Sequence, residues 1–596
     1  MLEPKAEYTR RLAARLKIVA EKERRHIFVG NAKVAVVVLF VALLWMRLAR
    51  HWLSSDWLIA PVVLYGLLAL FHEFTLRARA RALAATGFYR AGIARIEDRW
   101  AGTGSTGERF RDSKHVYADD LDLFGRGCLF ELLSTARLPM GENRLAHWLL
   151  HPSDIETIRE RQKFIAELRE KIDLREDIAV VGEALRARLD PESLIQWCET
   201  ASALGGLGLR LLGIVLALAA LGTFVYFVYT LLLWPFLAVL LLELTVFMSL
   251  RRRAEAVIKE VSCNAEGVEL FAKIVERLER ETFSSKRLNE LVGQLKAGPD
   301  QASQAIQRFA GVVTWIDGRE NPFVRIIDLP MFYTIQTALA AESWRKKYGA
   351  KMRRWVDVLA EFEALLSLSS YSFEHPTDPF PEFGEADHAS ALFHGEELGH
   401  PLISVAQCVR NSVCLDAKTR VWLVSGSNMS GKSTLLRTVG INAVLSMAGA
   451  PIRGKSLRLS PVSLGTRLRS MDSLQEGRST FFTEVLHIRQ VFTLLDEKRR
   501  LLFLFDELLE GTNSHDRRIG AERLIHALID AGAIGIVTTH DLALTEIIAS
   551  LDGAMRNMHF QDYVEAGKMR FDYKLRDGVV AKSNALELMR MIGLKV

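Results

Sequence analysis

The sequence predicts an all-α core region that carries two transmembrane helical hairpins and is followed by an α/β domain. Three observations predict this architecture. Two regions hold long uncharged apolar stretches with basic flanks, apolar residues recur at helical spacing from Asp120 to about Ser370, and short apolar strands alternate with helices after prolines at 376, 379 and 381. We expect an N-terminal membrane hairpin at 1–81, a linker at 82–117, helical core at 118–206, a second transmembrane hairpin at 207–250, further helical core or lever at 251–375 and the α/β domain at 376–596.

The composition supports this division and excludes several classes of protein. The chain has 596 residues, 49% of them hydrophobic and 25% charged, which excludes a disordered or fibrous protein. Its mean hydropathy of +0.11 is high for a wholly soluble protein. The net charge of +6 permits nucleic-acid binding without indicating it. The five cysteines form no C-x-x-C pair, which disfavours a disulfide framework or a structural zinc site and favours a reducing compartment.

The first hairpin is predicted from two short uncharged stretches, Val34–Met46 and Trp57–Phe71. Each is shorter than the usual span of about 20 residues, but tryptophans at 45, 52 and 57 suit the membrane–water interface. A cleavable signal peptide is not expected, because the apolar region starts late and has no small-residue cleavage site. The alternative is an amphipathic or re-entrant pair lying in the interface.

The second hairpin has the stronger signal. Leu211–Leu242 contains no charged side chain, and the apolar sequence continues past Glu243 to Leu250. A helix of this length would cross a hydrocarbon core of about 30 Å twice, so we expect a turn between Tyr229 and Pro235. The alternative is a pair of buried core helices, which would normally show a polar face. Basic residues flank both hairpins, which predicts a multi-pass protein of the inner (cytoplasmic) membrane with the α/β domain in the cytoplasm.

Two segments outside the predicted hairpins give weaker indications of a binding function. The small-residue cluster Gly102–Gly107 lacks the strand and helix of a phosphate loop, so we interpret it as part of the linker. The stretch Arg345–Arg354 holds six basic residues in ten. It is either a solvated helix face or a surface that contacts anionic lipid or nucleic-acid phosphates, and the sequence does not separate these interpretations.

The α/β domain contains a motif that binds phosphates. Gly426–Thr434 matches G-x-x-x-x-G-K-[ST] after the strand Val421–Ser425 and before a helix. Backbone N–H groups of such a loop surround the phosphates of ATP, Lys432 reaches the β- and γ-phosphates, and Ser433 ligates Mg²⁺. The predicted nucleotide-binding residues here are Gly426, Ser427, Asn428, Met429, Ser430, Gly431, Lys432, Ser433 and Thr434.

Two further strands end in residues suited to hydrolysis. Leu501–Phe505 is followed by Asp506, which can hold the Mg²⁺ shell, and by Glu507, which can polarise the attacking water. Solvated acids that merely cap the strand are the alternative. Ile534–Thr538 is followed by Thr539 and His540. We assign His540 to the γ-phosphate or to the water, the alternative being a packed histidine.

These motifs together resemble the MutS family of DNA mismatch-repair ATPases. The loop from Ser427 to Thr434 is similar to the family's P-N-M-x-G-K-S-T, with serine in place of proline. The segment Gly477–Phe481 with Glu484 resembles the family signature that reaches the nucleotide of a partner subunit. The resemblance therefore implies an ABC-like P-loop (Walker A) ATPase of the MutS type, a homodimer, and nucleotide contacts by Arg478, Ser479 and Thr480.

The departures from the family limit what this resemblance implies. Residues 1–117 are predicted to be membrane hairpin and linker, and the Phe-x-Glu that precedes the core, Phe71-His72-Glu73, lies at the end of the predicted hairpin. We therefore expect a membrane-anchored MutS-like ATPase that lacks the mismatch-reading N-terminal domain and contacts DNA through its phosphates. Two alternatives remain: a membrane-tethered scaffold that is switched by ATP without binding DNA, and a transporter-type ATPase. Against the transporter, the signature is Gly-Arg-Ser-Thr-Phe rather than Leu-Ser-Gly-Gly-Gln, and four short spans form a thin pathway.

Overall fold

The computed structural model describes most of the chain. The described residues are 3–50, 54–186, 188–200, 204, 207–261, 263–296, 300–384, 392–427, 429–468, 480–496, 499–509, 514–541, 543–545, 553–565 and 568–580. Contacts divide the chain into two compact units. The helical unit comprises 1–90, 136–142 and 171–363, and the α/β unit comprises 91–135, 143–170 and 364–596.

Fourteen helices occur among the described residues before the first strand. They are α1 (Pro4–Arg50), α2 (Ile59–Ile96), α3 (Leu129–Leu133), α4 (Pro139–Leu150), α5 (Ile155–Leu168), α6 (Ile172–Arg186), α7 (Pro191–Glu199), α8 (Leu207–Thr230), α9 (Trp234–Glu260), α10 (Ala265–Glu279), α11 (Lys286–Lys296), α12 (Ala302–Gly318), α13 (Pro322–Met331) and α14 (Tyr333–Glu374). The all-α region predicted from apolar spacing is therefore present.

Four of these helices, α1, α2, α8 and α9, are long and apolar enough to cross a membrane, by length and composition. Helix α8 ends at Thr230 and α9 begins at Trp234, which places the turn where the sequence predicts it. The turn residue Leu231 adopts a positive φ of 58°. Side chains along both helices, including Leu218 and Leu241, are exposed.

The segment predicted as a linker, 82–117, differs from the expectation. Helix α2 continues through it to Ile96, and Ala85, Phe88 and Tyr89 are buried. The glycine cluster that follows is ordered by the buried carboxylate of Glu131, which accepts hydrogen bonds from the backbone N–H groups of Gly102 (2.7 Å) and Gly104 (3.0 Å). Contacts at such sequence separation leave no local signal, so the small residues resemble a linker.

The α/β unit contains two sheets. Its strands are β1 (Glu382–Phe383), β2 (Phe393–Leu398), β3 (Asn411–Leu415), β4 (Val421–Ser425), β5 (Ser456–Leu459), β6 (Val462–Arg467), β7 (Arg500–Phe505), β8 (Ile534–Thr539), β9 (Met555–Glu565) and β10 (Lys568–Asp577), and its later helices are α15 (Lys432–Ala448), α16 (Thr480–Thr493) and α17 (Ser514–Asp530). The larger sheet has the order β10-β9-β4-β8-β7-β6, and only β10 is antiparallel to its neighbour. The smaller sheet has the order β1-β5-β2-β3.

Four strands of the larger sheet, β4, β8, β7 and β6, are buried on both faces, as their continuous apolar sequences predict. Val421, Leu423, Phe503 and Val537 form one core cluster with side chains of α16 and α17. At Gly535 a Cβ would lie 2.4 Å from the Phe503 carbonyl oxygen, so only glycine allows β7 and β8 to approach here. The sheet therefore holds the ends of β4, β7 and β8 in fixed register.

Part of the predicted helical core belongs to the α/β unit. The backbone N–H of Thr466 in β6 donates to the carbonyl of Val116 at 3.0 Å, and its hydroxyl donates to the carboxylate of Asp120 at 2.8 Å. Leu121 packs against Gly440 of α15, where a Cβ would lie 2.6 Å from the leucine side chain. The sequence predicts that these residues belong to the linker and the helical core, because their partners lie more than 300 positions away and leave no local pattern.

Candidate functional site

The phosphate-loop motif lies between β4 and α15, the strand and helix that the sequence predicts around it. Gly431 adopts a φ of 106°, a conformation that favours glycine, and α15 begins at Lys432. The positive end of a helix of 17 residues therefore faces the loop. Asn428 lies outside the described residues.

Lys432 is almost fully buried beneath this loop. Its ammonium group donates to the carbonyl oxygens of Gly426 (2.8 Å) and Ser427 (3.1 Å) and lies 3.9 Å from a carboxylate oxygen of Glu507. Burial lowers the pKa of Lys432, and the carboxylates of Glu507 and Asp506 oppose that change. A buried cation with only carbonyl and carboxylate neighbours suits a polyanionic ligand at this position.

Asp506 is the centre of a hydrogen-bond network that joins the start of α15 to the ends of β7 and β8. The hydroxyl of Ser433 donates to one carboxylate oxygen, and the hydroxyl of Thr538 donates to the other. The Thr538 hydroxyl also accepts from the backbone N–H of Glu507 at 3.1 Å. Strands β4, β7 and β8 are parallel neighbours, so their carboxyl ends bring Ser433, Asp506 and Thr538 to one edge.

A hydroxyl and a carboxylate in contact are the oxygen donors that Mg²⁺ accepts when phosphates and water supply its other ligands. Ser433 and Asp506 therefore fit the metal role predicted for them. Within the described ranges, no group of three or more histidine, cysteine, aspartate or glutamate side chains forms a metal site of its own. The donor set thus suits a cation that arrives with a phosphate ligand.

Glu507 and His540 meet beside Lys432. The Nδ1 atom of His540 lies 3.5 Å from Glu507 Oε1. Glu507 has a positive φ of 52°, and Leu509 has one of 59°. The buried carboxylate of Glu484 accepts from the backbone N–H of Leu509 at 2.8 Å and so holds this strained turn. Glu484 therefore fixes the position of this turn, whereas the sequence predicts Glu484 only as part of the family signature.

A cavity of about 590 Å³ adjoins these groups. It is lined by the phosphate loop, Asp506 and Glu507 and also by Leu398, His400, Ile403, Val409 and Tyr573. Burial lowers the pKa of His400 to about 4, so its ring is neutral at physiological pH. A lining that combines phosphate-binding groups with apolar and aromatic side chains fits a ligand that has phosphates and an aromatic base.

Sequence reasoning missed Tyr573 and Asn411. The ring of Tyr573 lies above Gly431, where a Cβ would be 3.2 Å from it. Asn411 holds this part of β10 in place, because its amide donates to the Tyr573 carbonyl at 2.9 Å and accepts from Leu575 N–H at 2.8 Å. The pairing of β10 with β9 shifts register between Phe571 and Leu575, and no local pattern in the sequence indicates this shift.

The signature segment is only partly described. Arg478 and Ser479 lie outside the described residues, and Thr480 is the first residue of α16. Phe481, Phe482 and Val485 of the same helix are exposed. The predicted nucleotide contacts of Arg478, Ser479 and Thr480 remain predictions.

The basic stretch Arg345–Arg354 is largely neutralised within the helical unit. Arg345 is buried, and its guanidinium pairs with Glu342 and donates to the Trp197 carbonyl at 3.3 Å. Lys347 pairs with Asp300 at 2.9 Å, and Arg353 pairs with Glu199 at 2.6 Å. The surface that remains for phosphates is therefore smaller than six basic residues in sequence suggest.

Comparison with known proteins agrees with these features. A family model described as MutS domain III matches residues 115–369, and one described as MutS domain V matches residues 422–595. The chain is also 27% identical over 252 residues to proteins named DNA mismatch repair protein MutS from Staphylococcus aureus strains JH9, Newman and JH1. The alignment covers 42% of this chain and 28% of each relative's length.

Proposed function

The chain belongs to the MutS family, and from this premise we propose that it is a membrane-anchored ATPase that works as a dimer and binds DNA through phosphates. The ATPase proposal rests on one observation: Lys432, Ser433, Asp506 and Glu507 line one cavity together, and His540 lies 3.5 Å from Glu507. Hydrolysis by the detergent-solubilised chain, compared with a Glu507→Gln variant, tests it.

The geometry suggests a role for each residue in hydrolysis. Lys432 exchanges its loop carbonyls for the β- and γ-phosphate oxygens, while Ser433 and Asp506 would hold Mg²⁺, which would neutralise charge on the phosphates. Glu507 accepts a proton from the water whose oxygen bonds to the γ-phosphorus as the bond to the β–γ bridging oxygen breaks. His540 orients the Glu507 carboxylate, and Thr538 positions the acidic pair.

The dimer proposal draws on the family signature and on α16. In the family, the segment equivalent to Gly477–Phe481 reaches the nucleotide of a partner. Phe481, Phe482 and Val485 expose apolar surface directly after it, as a subunit interface requires. Arg478, Ser479 and Thr480 would complete the partner's site.

Membrane anchoring is proposed from the four long apolar helices and their exposed side chains. Basic residues precede and follow both helical pairs, so the positive-inside rule places the α/β unit in the cytoplasm and the pairs in the inner membrane. The lipid bilayer is thus a partner of this chain in the proposal.

Carbonate washing should leave the protein in the membrane fraction, because about 40 apolar residues in α8–α9 cannot be released by removing ionic contacts. Deleting 211–250 alone should still leave attachment through α1–α2. The measurement is immunoblotting of pellet and supernatant, with a peripheral membrane protein as the control that is released. Release of the intact chain would mean that the four helices are buried core helices.

A second candidate function is a membrane-tethered scaffold that ATP switches without DNA. The pairing of Arg345, Lys347 and Arg353 with acids favours it, since Arg345 is buried and the acids offset the positive charge of the other two. Lys346 and Arg354 of the same helix are exposed, and they are the residues through which DNA contact is proposed.

If the primary proposal is correct, the affinity for DNA depends on the salt concentration and not on mispairs. Affinity should fall steeply between about 50 and 200 mM salt, and changing Lys346 and Arg354 together to alanine should flatten the logarithmic salt slope by about two. Lys273→Ala on α10 is the control and should leave the slope unchanged. Matched and mismatched duplexes are compared by fluorescence anisotropy. A preference above about tenfold, about 1.4 kcal/mol, would show that the chain reads distortion, and no binding at low salt would favour the scaffold.

A further inference from the structure

A group of exposed apolar side chains lies outside the four long apolar helices. Trp315 near the end of α12 is 55% exposed, Phe323 at the start of α13 is 78% exposed, and Met331 at its end is 44% exposed. Large apolar side chains grouped on a surface mark a contact with another molecule or with lipid. The position of these side chains in the helical unit indicates whether they contact another molecule or lipid.

Helix α13 packs directly on α8 and α9. The next residues contact the same two helices: the Phe332 ring centroid is 6.3 Å from that of Phe247, and Phe332 and Ile335 share a buried cluster with Leu216. A Cβ at Gly213 would lie 2.6 Å from the amide nitrogen of Gln336.

These contacts set the depth of α13 along the hairpin. Gly213, Leu216 and Phe247 all belong to the apolar stretch that ends at Leu250. Phe247 precedes Arg251 by four residues, which is about 6 Å along a helix. If α8 and α9 span the bilayer, the junction of α13 and α14 therefore lies at the edge of the hydrocarbon, where aromatic side chains are enriched.

A cavity of about 850 Å³ opens at the same level between α9, α12 and α13. Arg251, Arg319 and Arg325 line it, together with acidic side chains. Four acids line it: Glu255 pairs with Arg251 at 2.7 Å, Asp328 accepts from the backbone and hydroxyl of Thr334 at 2.7 and 2.9 Å, Asp317 accepts from the backbone N–H of Ala265 at 3.2 Å, and Glu320 is the fourth. With four acids beside three arginines the cavity has no excess of positive charge, and it marks a polar level directly next to the apolar side chains of α12 and α13.

We propose that the end of α12 and the whole of α13 form a bilayer-binding surface. Trp315, Phe323 and Met331 lie among the upper acyl chains, next to the polar residues of the cavity at headgroup depth. The inference rests on the membrane anchoring proposed above. It gives the helical unit a contact with the membrane surface besides its hairpins, at the point where α14 begins.

Depth-dependent fluorescence quenching tests this surface in the full-length chain. A genetically encoded, environment-sensitive fluorescent amino acid replaces Phe323, and the protein is reconstituted in phosphatidylcholine–phosphatidylglycerol vesicles with brominated acyl chains. Bromines near the headgroup should lower the emission by about twofold, and bromines near the chain ends should quench less. The label at Leu218 of α8 is the deep control, and the label at Glu290 of α11, an exposed residue, is the aqueous control.

The controls separate this inference from the anchoring itself. An unquenched label at 323 beside a quenched label at 218 would overturn the proposed surface and leave the hairpin in lipid. Two unquenched labels would contradict membrane anchoring. A label at 323 whose emission depends on protein concentration and not on bromine would assign the surface to a second copy of the chain.

Discussion

Replacing Glu507 with glutamine should lower the rate of ATP hydrolysis by about 10²–10⁴-fold while ATP still binds. Glutamine keeps the shape of the side chain but has no carboxylate to accept the proton of the attacking water. The groups that hold the phosphates, Lys432 and the loop amides, are unchanged. The measurement is phosphate release by the purified protein with Mg²⁺ and ATP, together with binding of a fluorescent ATP analogue.

The matched control for this variant is Asp530→Asn, which removes a carboxylate from the exposed end of α17. It should hydrolyse ATP at the wild-type rate. If the Glu507 variant also turns over normally, then another group activates the water, and the 3.5 Å contact between His540 and Glu507 has no catalytic meaning.

A mixture of two inactive variants should recover hydrolysis if the signature acts across a dimer. Lys432→Ala should weaken ATP binding, because it removes the buried cation at the phosphates, and Ser479→Ala should remove the signature contact. In a mixed dimer, one site would combine the intact Lys432 of one chain with the intact Ser479 of the other. Random exchange between two symmetric dimers should therefore restore about a quarter of the sites, and of the wild-type rate.

Co-assembly has to be shown separately, by capturing one affinity-tagged variant and detecting the other. A mixture of Lys432→Ala chains carrying two different tags is the control and should stay inactive. Mixed dimers that form without activity would indicate that Ser479 acts on the nucleotide of its own chain or not at all.

Local sequence predicted the core of the candidate site well. The phosphate loop needs only a strand, a glycine-rich turn and a helix, and all three are encoded within residues 421–448. Asp506 and Glu507 follow an apolar strand, and parallel strands deliver their carboxyl ends to one edge of the sheet. The pairing of parallel strands therefore suffices to predict that Ser433, Asp506 and His540 lie close together.

The residues that sequence reasoning missed depend on contacts between distant segments. Thr538 bridges Asp506 and the backbone of Glu507, 31 to 32 positions away, and Asn411 fixes Tyr573 from 162 positions away. No periodicity reports such pairs. For the same reason the sequence does not predict the ion pairs of the basic stretch, since the partners of Arg353 and Lys347 lie on α7 and near α12.

The glycine cluster in the predicted linker led to a wrong prediction. A run of small residues usually marks a loop without tertiary contacts, but here the amides of Gly102 and Gly104 surround the carboxylate of Glu131. A single buried acid 27 to 29 residues away thus orders the segment. The turn between α8 and α9, in contrast, follows from helix length alone and lies where the sequence places it.

The central claim is that this chain binds ATP at the phosphate loop and hydrolyses it with Glu507. The most direct test is the identity of the nucleotide that remains on the protein after incubation with Mg²⁺ and ATP, removal of free nucleotide and separation by chromatography. The account predicts ATP on the Glu507→Gln variant and ADP on the wild type. ADP on both proteins, or nucleotide on neither, would contradict it.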